Sequence, residues 1–207
     1  MKFPSIFLVS AFLLVMQGCS TVGVPGEGKV VLRNIATEYY SIAEGYFGMK
    51  NYSKAAEYYE RAMKDESLRV ASFYKMARSY AMAQNWEKAA PCYDELLSQD
   101  PDNLNLKVSV AYIAAMRGDI DSALSQFKSL CEENPYEEQV LENYVALLLF
   151  VGRAEDAEVG YRKLKATFPE NSKLKDFSQQ LSELADNFSD GGDADGSVKK
   201  SAPPLKK

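Results

Sequence analysis

Small and aromatic residues recur along the chain at a constant spacing of 34 residues. One series is Ala55, Ala89, Ala123 and Ala157. Twelve residues before its members stand Ala43, Ala77, Ala111 and Val145, and four residues after them stand Tyr59, Tyr93, Phe127 and Tyr161. A constant period of this length is typical of repeat architectures. The chain is therefore predicted to contain four contiguous units, which span 36–69, 70–103, 104–137 and 138–171.

Within each unit the apolar residues fall at helical spacing. In the first unit Ile42, Ala43 and Tyr46 are followed, after a short polar turn, by Ala55 and Tyr59. Because side chains three or four residues apart share one face of a helix, each unit is predicted to form two antiparallel helices. A hairpin this short cannot bury its apolar face alone, so neighbouring units are expected to stack.

The chain beyond the repeats has two parts of different composition. An apolar stripe marks residues 172–186 as an amphipathic helix, formed by Leu174, Phe177, Leu181 and Leu184. This helix is predicted to cap the open end of the array. Residues 187–207 contain few large apolar side chains and are rich in glycine, proline and charge, which predicts a disordered tail.

The four units resemble the tetratricopeptide repeat, which has the same length and the same small and aromatic positions. Three of the units also close on a pair that ends in proline: Asp100-Pro101, Asn134-Pro135 and Phe168-Pro169. The resemblance implies an all-α fold, an α-solenoid of four helix-turn-helix units with a C-terminal capping helix. It covers 136 of the 207 residues.

Two residues inside the predicted second helices are poor helix formers. Pro91 would be tolerated in the first turn of a helix, whereas further along it would kink the helix. Gly160 is expected to weaken the second helix of the last unit by about 1 kcal/mol relative to alanine.

The N-terminal residues indicate export. Lys2 precedes an apolar run over residues 3–16, and Gly18-Cys19 follows, which together predict a signal peptide over 1–18. The run is shorter than the roughly 20 apolar residues of a membrane-spanning helix. Gly18-Cys19 resembles the lipobox of bacterial lipoproteins, which implies lipid attachment at Cys19; the alternative is ordinary cleavage with an unmodified cysteine. Residues 19–35 are predicted to form a tether and lead-in, with the flexible tether ending at Gly28.

The amino-acid composition excludes several classes of function. Hydrophobic residues make up 46% of the chain and charged residues 26%, which is typical of a folded globular protein. Histidine is absent from the sequence, which excludes Ser/His and Cys/His nucleophiles and histidine metal ligands. The net charge of -5 excludes a nucleic-acid binder that works by bulk electrostatics. No enzyme activity, cofactor or metal site is predicted, and Cys92 and Cys131 are expected to be buried free thiols.

The resemblance implies that ligands bind along the inner surface, which the first helices of the units line. The repeat register places there Tyr40, Glu44, Phe47, Tyr74, Lys75, Arg78, Met82, Asn105, Ser109, Tyr112, Met116, Gln139, Asn143 and Phe150. Lys75 and Arg78 share a helix face, and Tyr74 and Tyr112 are expected to flank them. Aromatic residues and methionine are enriched at protein interfaces, which favours a protein partner; the alternative is that these rings complete the core or face the capping helix.

These features together predict a lipid-anchored adaptor in the bacterial cell envelope. It would face the periplasm at the outer membrane, touch the membrane through acyl chains on Cys19, and bind envelope proteins in its groove. Its scaffolding role resembles that of the pilotins and the barrel-assembly lipoprotein. The alternative is an accessory subunit of a solute transport system that handles a small ligand or its binding protein.

Overall fold

The computed structural model describes residues 26–189, which form nine α-helices and no strand. The helices are α1 Glu27–Gly48, α2 Tyr52–Ala62, α3 Glu66–Met82, α4 Trp86–Gln99, α5 Leu104–Met116, α6 Ile120–Glu133, α7 Glu138–Phe150, α8 Ala154–Thr167 and α9 Leu174–Ser189. The prediction of an all-α fold is confirmed. The predicted signal peptide over 1–18, Cys19 and residues 190–207 of the predicted tail lie outside the described residues.

The helices pair as hairpins that stack in chain order. Each helix packs against the next one along the chain, and α9 packs against both α8 and α7. Phe177 of α9 is buried in the core of the last two hairpins. The predicted α-solenoid with a capping helix at its C-terminal end is therefore confirmed.

The repeated small residues lie where neighbouring helices approach each other. All eight residues of the two small-residue series are fully buried: Ala43, Ala55, Ala77, Ala89, Ala111, Ala123, Val145 and Ala157. The aromatic series fills the space beside them, with Tyr59, Tyr93 and Phe127 buried and Tyr161 half-buried. The residues that recur every 34 positions are thus the residues at which neighbouring helices contact each other.

The core of the described residues divides into three clusters of unequal size. The cluster formed by α5 to α9 holds seventeen buried residues, most of them leucine, valine or phenylalanine. A middle cluster around Tyr93 and Leu96 holds six, and a cluster around Tyr59 between α1 and α3 holds five, of which three are alanines. Large aliphatic side chains are therefore concentrated in the C-terminal half of the array.

The turn within each hairpin has the same geometry in all four repeats. The residue two positions after the end of the first helix has a positive φ each time: 59° at Lys50, 56° at Gln84, 93° at Gly118 and 76° at Gly152. These residues are also spaced 34 apart. Glycine adopts this left-handed conformation without strain, whereas lysine and glutamine do so at a cost.

Two boundaries differ from the sequence prediction. Helix α1 begins at Glu27, so residues 27–35 of the predicted tether and lead-in are helical. Helix α9 continues to Ser189, three residues past the predicted end of the cap. Pro91 is the sixth residue of α4, and the helix continues through it. No helix between residues 26 and 189 is both long and apolar enough to cross a membrane.

Candidate functional site

The structure divides the predicted inner-surface residues among three neighbouring regions. The first lies between α1 and α3, the second between α3 and α5, and the third between α5, α7 and α9. Met82 is half-buried at the end of α3, and Gln139 is exposed at the start of α7. Tyr40 is half-buried and packs edge-on against Tyr59, with 5.5 Å between the ring centroids.

The first region is a network of polar and charged side chains whose partners all lie within the protein. Glu44 accepts a hydrogen bond from the hydroxyl of Tyr59, and its Oε1 lies 2.9 Å from the Nζ of Lys75. The guanidinium of Arg78 lies over the ring of Phe47, 5.1 Å from its centroid. Both cations of this face therefore already have partners within the chain, and they join α3 to α1.

The electrostatics of this network favour one protonation state at neutral pH. Burial acts to raise the pKa of Glu44, but hydrogen bonds from Tyr59 and Lys75 and the charge of Lys75 outweigh it and hold the pKa below its ordinary value. Burial, together with the hydrogen bond to Glu44, raises the pKa of Tyr59. Glu44 is therefore a carboxylate and Tyr59 a neutral phenol.

The two tyrosines expected beside this cation pair line two different cavities. Tyr74 borders the second region. Tyr112 borders the third region, and its ring packs against Trp86 with 6.0 Å between centroids. The two rings therefore line separate cavities, and the expectation that both flank Lys75 and Arg78 stays a prediction.

The second region is a shallow groove of about 420 Å³ between α3 and α5. Exposed Val70 and Tyr74 form one side, and buried Leu96 and Leu106 lie at its base. Asn105 and Ser109 stand on the opposite side, where the hydroxyl of Ser109 donates to the carbonyl of Asn105 at 2.7 Å. This groove therefore combines apolar surface with a polar border, to which Gln99, Asp100 and Asn103 also contribute.

The third region is a cavity of about 260 Å³. Its apolar walls include Tyr112, Met116, Phe127, Leu147, Phe150 and Phe177. Its polar lining consists of Glu142, Asn143, Lys173, Asp176 and Gln180. The structure therefore brings four of the predicted residues together here: Tyr112, Met116, Asn143 and Phe150.

Two polar residues that line this cavity differ in their hydrogen bonding. The carboxylate of Glu142 accepts a hydrogen bond from the Nδ2 of Asn171 at 2.9 Å, and that amide also donates to Glu138 at 2.7 Å. The Nδ2 of Asn143, by contrast, is buried and has no hydrogen-bond partner among the described residues. A buried donor without an acceptor costs free energy, so the Asn143 amide is an unsatisfied polar group in the wall of the cavity.

Sequence reasoning missed the contribution of α9 to the cavity. The repeat register assigns the inner surface to the first helices of the four units, yet Lys173, Asp176 and Gln180 also line the cavity. The 34-residue period could have found them. One further period places residues 173–180 at the positions of residues 139–146, so α9 takes the place of a fifth first helix.

The described residues hold no metal-binding cluster, and their two cysteines are free thiols. Between residues 26 and 189, no group of three or more Cys, Asp or Glu side chains is placed to hold a metal ion. Cys92 is half-buried and Cys131 is buried, and both are free thiols. Burial raises the pKa of Cys131 to about 11, which keeps it a thiol at neutral pH.

Comparison with known proteins shows which sequence family and which solved structures this chain resembles. The sequence profile of the tetratricopeptide repeat matches residues 40–103 and, overlapping them, residues 74–138. A tetratricopeptide repeat protein from Parabacteroides merdae is similar in structure, with a TM-score of 0.61 and 18% identity over 75% of this chain and 62% of that chain. MamA from Desulfovibrio magneticus has a TM-score of 0.56 and 14% identity over 75% of this chain and 92% of that chain.

A third similar structure is YrrB, described as a TPR protein with an unusual peptide-binding site. Its TM-score is 0.51 at 15% identity, and the match covers 75% of this chain and 85% of that chain. At such identities the likeness shows the fold alone, and the chain spans only 62% of the Parabacteroides protein. No curated protein sequence matches the chain. The repeat profile and the structural likeness agree with the 34-residue register, and the chain therefore belongs to the tetratricopeptide-repeat family.

Proposed function

We propose that this protein is an adaptor that binds an extended segment of a partner protein in the cavity between α5, α7 and α9. The observation that carries the proposal is a cavity with apolar walls that is lined in part by Asn143, whose Nδ2 is buried and unpaired among the described residues. An extended peptide supplies backbone carbonyl oxygens along its length, and its side chains point alternately to either side. After a rotation of the Asn143 side chain, one carbonyl would accept from its Nδ2 while a neighbouring side chain enters the cavity.

The size of the cavity supports a side chain as the occupant. Its volume of about 260 Å³ is below the roughly 300–1,000 Å³ of small-molecule pockets. Aromatic and aliphatic anchors in enclosed apolar pockets supply much of the binding energy at protein interfaces. The groove beside Tyr74 would hold the continuation of the segment. YrrB, which shares this fold, is described as having a peptide-binding site, and this is consistent with the same class of ligand here.

The place of action that we propose is the bacterial cell envelope. The apolar run over residues 3–16 and the Gly18-Cys19 pair support export followed by lipid attachment at Cys19. The adaptor would then face the periplasm from the outer membrane and scaffold an envelope assembly there. Mass spectrometry of the mature protein tests this part, because a lipid-modified Cys19 should be its first residue.

The binding site is tested by a substitution that separates binding from stability. Asn143→Leu removes the unpaired amide and keeps the approximate shape, so stability should stay equal or rise, while capture of the partner from detergent-solubilised envelopes falls at least about tenfold. Phe150→Ala should also weaken capture. Val159→Ala, at an exposed position of α8, is the matched control and should capture as much as the unchanged protein.

Two outcomes would contradict the proposed site. Undiminished capture by both Asn143→Leu and Phe150→Ala would move the partner to another surface. Release of a bound small molecule from the purified protein, with its loss in the Phe150→Ala variant, would instead favour the solute-transport alternative.

A further inference from the structure

The first turns of α1 stand free of the array. Helix α1 has 22 residues and α2 only 11, so their lengths are about 33 and 16 Å. Helix α2 reaches back as far as Tyr39, whose ring lies 6.0 Å from that of Tyr58 and 5.8 Å from the guanidinium of Arg61. Every residue from 28 to 35 is exposed, and Ala36, which follows them, is buried.

These exposed turns carry a patch of aliphatic side chains. Val30, Val31, Leu32 and Ile35 are each between 41% and 59% exposed. At 100° per residue, Val31 and Ile35 lie side by side at the centre of the patch, with Val30 and Leu32 on its two edges. Single exposed apolar residues are ordinary, but a contiguous apolar patch indicates a surface that binds another protein or a membrane.

The same line of side chains continues along α1. Ile42 and Met49 follow Ile35 at intervals of seven residues and are also exposed. Seven residues are close to two full helical turns, so all of these side chains lie within about 40° of one another around the axis. The outward stripe, formed by Val31, Ile35 and Ile42 of α1 and by Met49 directly after its end, is therefore aliphatic, with the exposed Glu38 about 20° from Val31 around the axis.

The two basic residues of the free turns lie on the opposite side of the helix from this stripe. Lys29 and Arg33 are four residues apart and share one face. A hydrogen bond from Ser67, with a smaller contribution from the charge of Arg33, holds the pKa of Asp65 below its ordinary value. Arg33 thus lies within electrostatic reach of Asp65, and the outward stripe lies on the other side of the helix from Arg33. An apolar sector backed by Lys and Arg is typical of helices that lie in a membrane interface.

The chain segment before α1 indicates that a lipid bilayer covers this aliphatic patch. Only residues 20–26 separate Cys19 from the start of α1, and seven extended residues span at most about 25 Å. An acyl anchor at Cys19 would hold α1 beside the bilayer at a high effective concentration. Lys29 and Arg33 would offset, at this end, the repulsion between an acidic protein and anionic lipid.

We infer that the outward stripe of α1 lies in the interface of the membrane that holds Cys19, with Val31 and Ile35 inserted deepest. This inference rests on the lipid anchor of the proposed function. The bilayer then covers the N-terminal end of the array, as α9 covers its C-terminal end. The cavity between α5, α7 and α9 lies at the end of the array away from the membrane.

Quenching of a single introduced tryptophan by brominated lipid tests this inference. The mature protein, with lipid on Cys19 verified by mass spectrometry, is reconstituted into vesicles of phosphatidylethanolamine and phosphatidylglycerol with dibrominated acyl chains. Val31→Trp and Ile35→Trp are each made together with Trp86→Phe. Val70→Trp in the same Trp86→Phe background, at an exposed valine of α3, is the matched control. We expect both α1 variants to be quenched about threefold more than the control, with emission shifted to the blue.

The outcomes separate this inference from the anchor itself. Equal quenching at positions 31, 35 and 70 in protein with a modified Cys19 would overturn the inference and leave the anchor standing. A blue shift at position 31 that rises with protein density, without quenching by lipid, would assign the stripe to a second copy and overturn the membrane contact. An unmodified Cys19 would overturn the anchor and the inference together. Circular dichroism of each variant verifies that it folds.

Discussion

Replacing Gly160 by alanine should destabilise the protein, although alanine is the better helix former. A Cβ at this position would lie 2.9 Å from the Cγ2 of Val145 and 3.8 Å from the Cδ1 of Leu148. Val145 is fully buried and stands where the other three units carry alanine. The larger side chain on α7 therefore occupies space that the missing side chain on α8 leaves open.

The expected magnitude is a balance of two effects. Alanine in place of glycine within a helix stabilises by about 1 kcal/mol, while an extra carbon in a packed contact costs about 1–3 kcal/mol. Gly160→Ala should therefore lower the free energy of unfolding by about 1 kcal/mol. Val145→Ala alone removes two buried carbons and should cost about 2 kcal/mol.

The double variant isolates the contact between the two residues. With Val145 shortened, the new methyl at position 160 enters free space and keeps its helix advantage. Gly160→Ala should then stabilise the Val145→Ala background, which gives a coupling energy of about 1–2 kcal/mol. Urea unfolding of the four proteins, followed by circular dichroism at 222 nm, measures each free energy.

Gly45→Ala provides the matched control. Gly45 is an exposed residue of α1, and a Cβ added there would have no atom within 4 Å, so alanine should stabilise by up to about 1 kcal/mol. The reasoning is refuted if Gly160→Ala stabilises as much as Gly45→Ala does. Additive effects of Val145→Ala and Gly160→Ala would refute it as well.

Three further measurements test other parts of the structure. Ser72 and Ser79 are both fully buried in α3, but among residues 26–189 only Ser79 has a hydrogen-bond partner. Urea unfolding should show that Ser72→Ala stabilises and Ser79→Ala destabilises by about 1 kcal/mol, and the reverse order would contradict this. The folded-state pKa of Glu44 lies below its ordinary 4.5, so its charge stabilises the fold above that pH and the contribution is lost as the pH falls through the folded-state pKa. Unfolding free energy measured below pH 4.5 should therefore fall less steeply in Glu44→Gln than in the unchanged protein, and equal slopes would count against the network. Gln84→Gly should raise the thermal midpoint because φ is 56° there, while Gly118→Ala should lower it; no change in either would show that the left-handed turn carries little strain.

Much of the fold follows from the repeat period, because that period records which faces of the helices touch. A residue such as Ala89 must be small wherever a neighbouring helix crosses it, and the sequence shows this directly. The extent of α1 is harder to predict. Glycines at 26 and 28 are typical of a tether, yet the helix begins between them, and Val30 to Ile35 form part of it.

The candidate site is predictable only in part, because its contents depend on contacts between separate helices. The register places Glu44 and Lys75 on the same inner surface, but only the structure shows that they pair with each other. The cavity beside Asn143 exists because α9 packs against α7 as well as α8. The sequence of α9 predicts a capping helix, but it does not predict the angle at which that helix crosses its neighbours. This angle decides whether the capping helix closes the groove or leaves a cavity beside it.

The unequal division of the core implies a gradient of local stability along the array. Stability in a linear stack is close to a sum over units and their interfaces, so the aliphatic cluster of α5 to α9 should hold its helices closed far longer than the alanine-rich cluster around Tyr59 does. We therefore expect the first hairpin to open and close most readily, and folding to begin at the opposite end. The protein is thus compliant at its N-terminal end and stiff around the cavity, so a pull transmitted through the first hairpin would unravel that hairpin before it distorts the cavity.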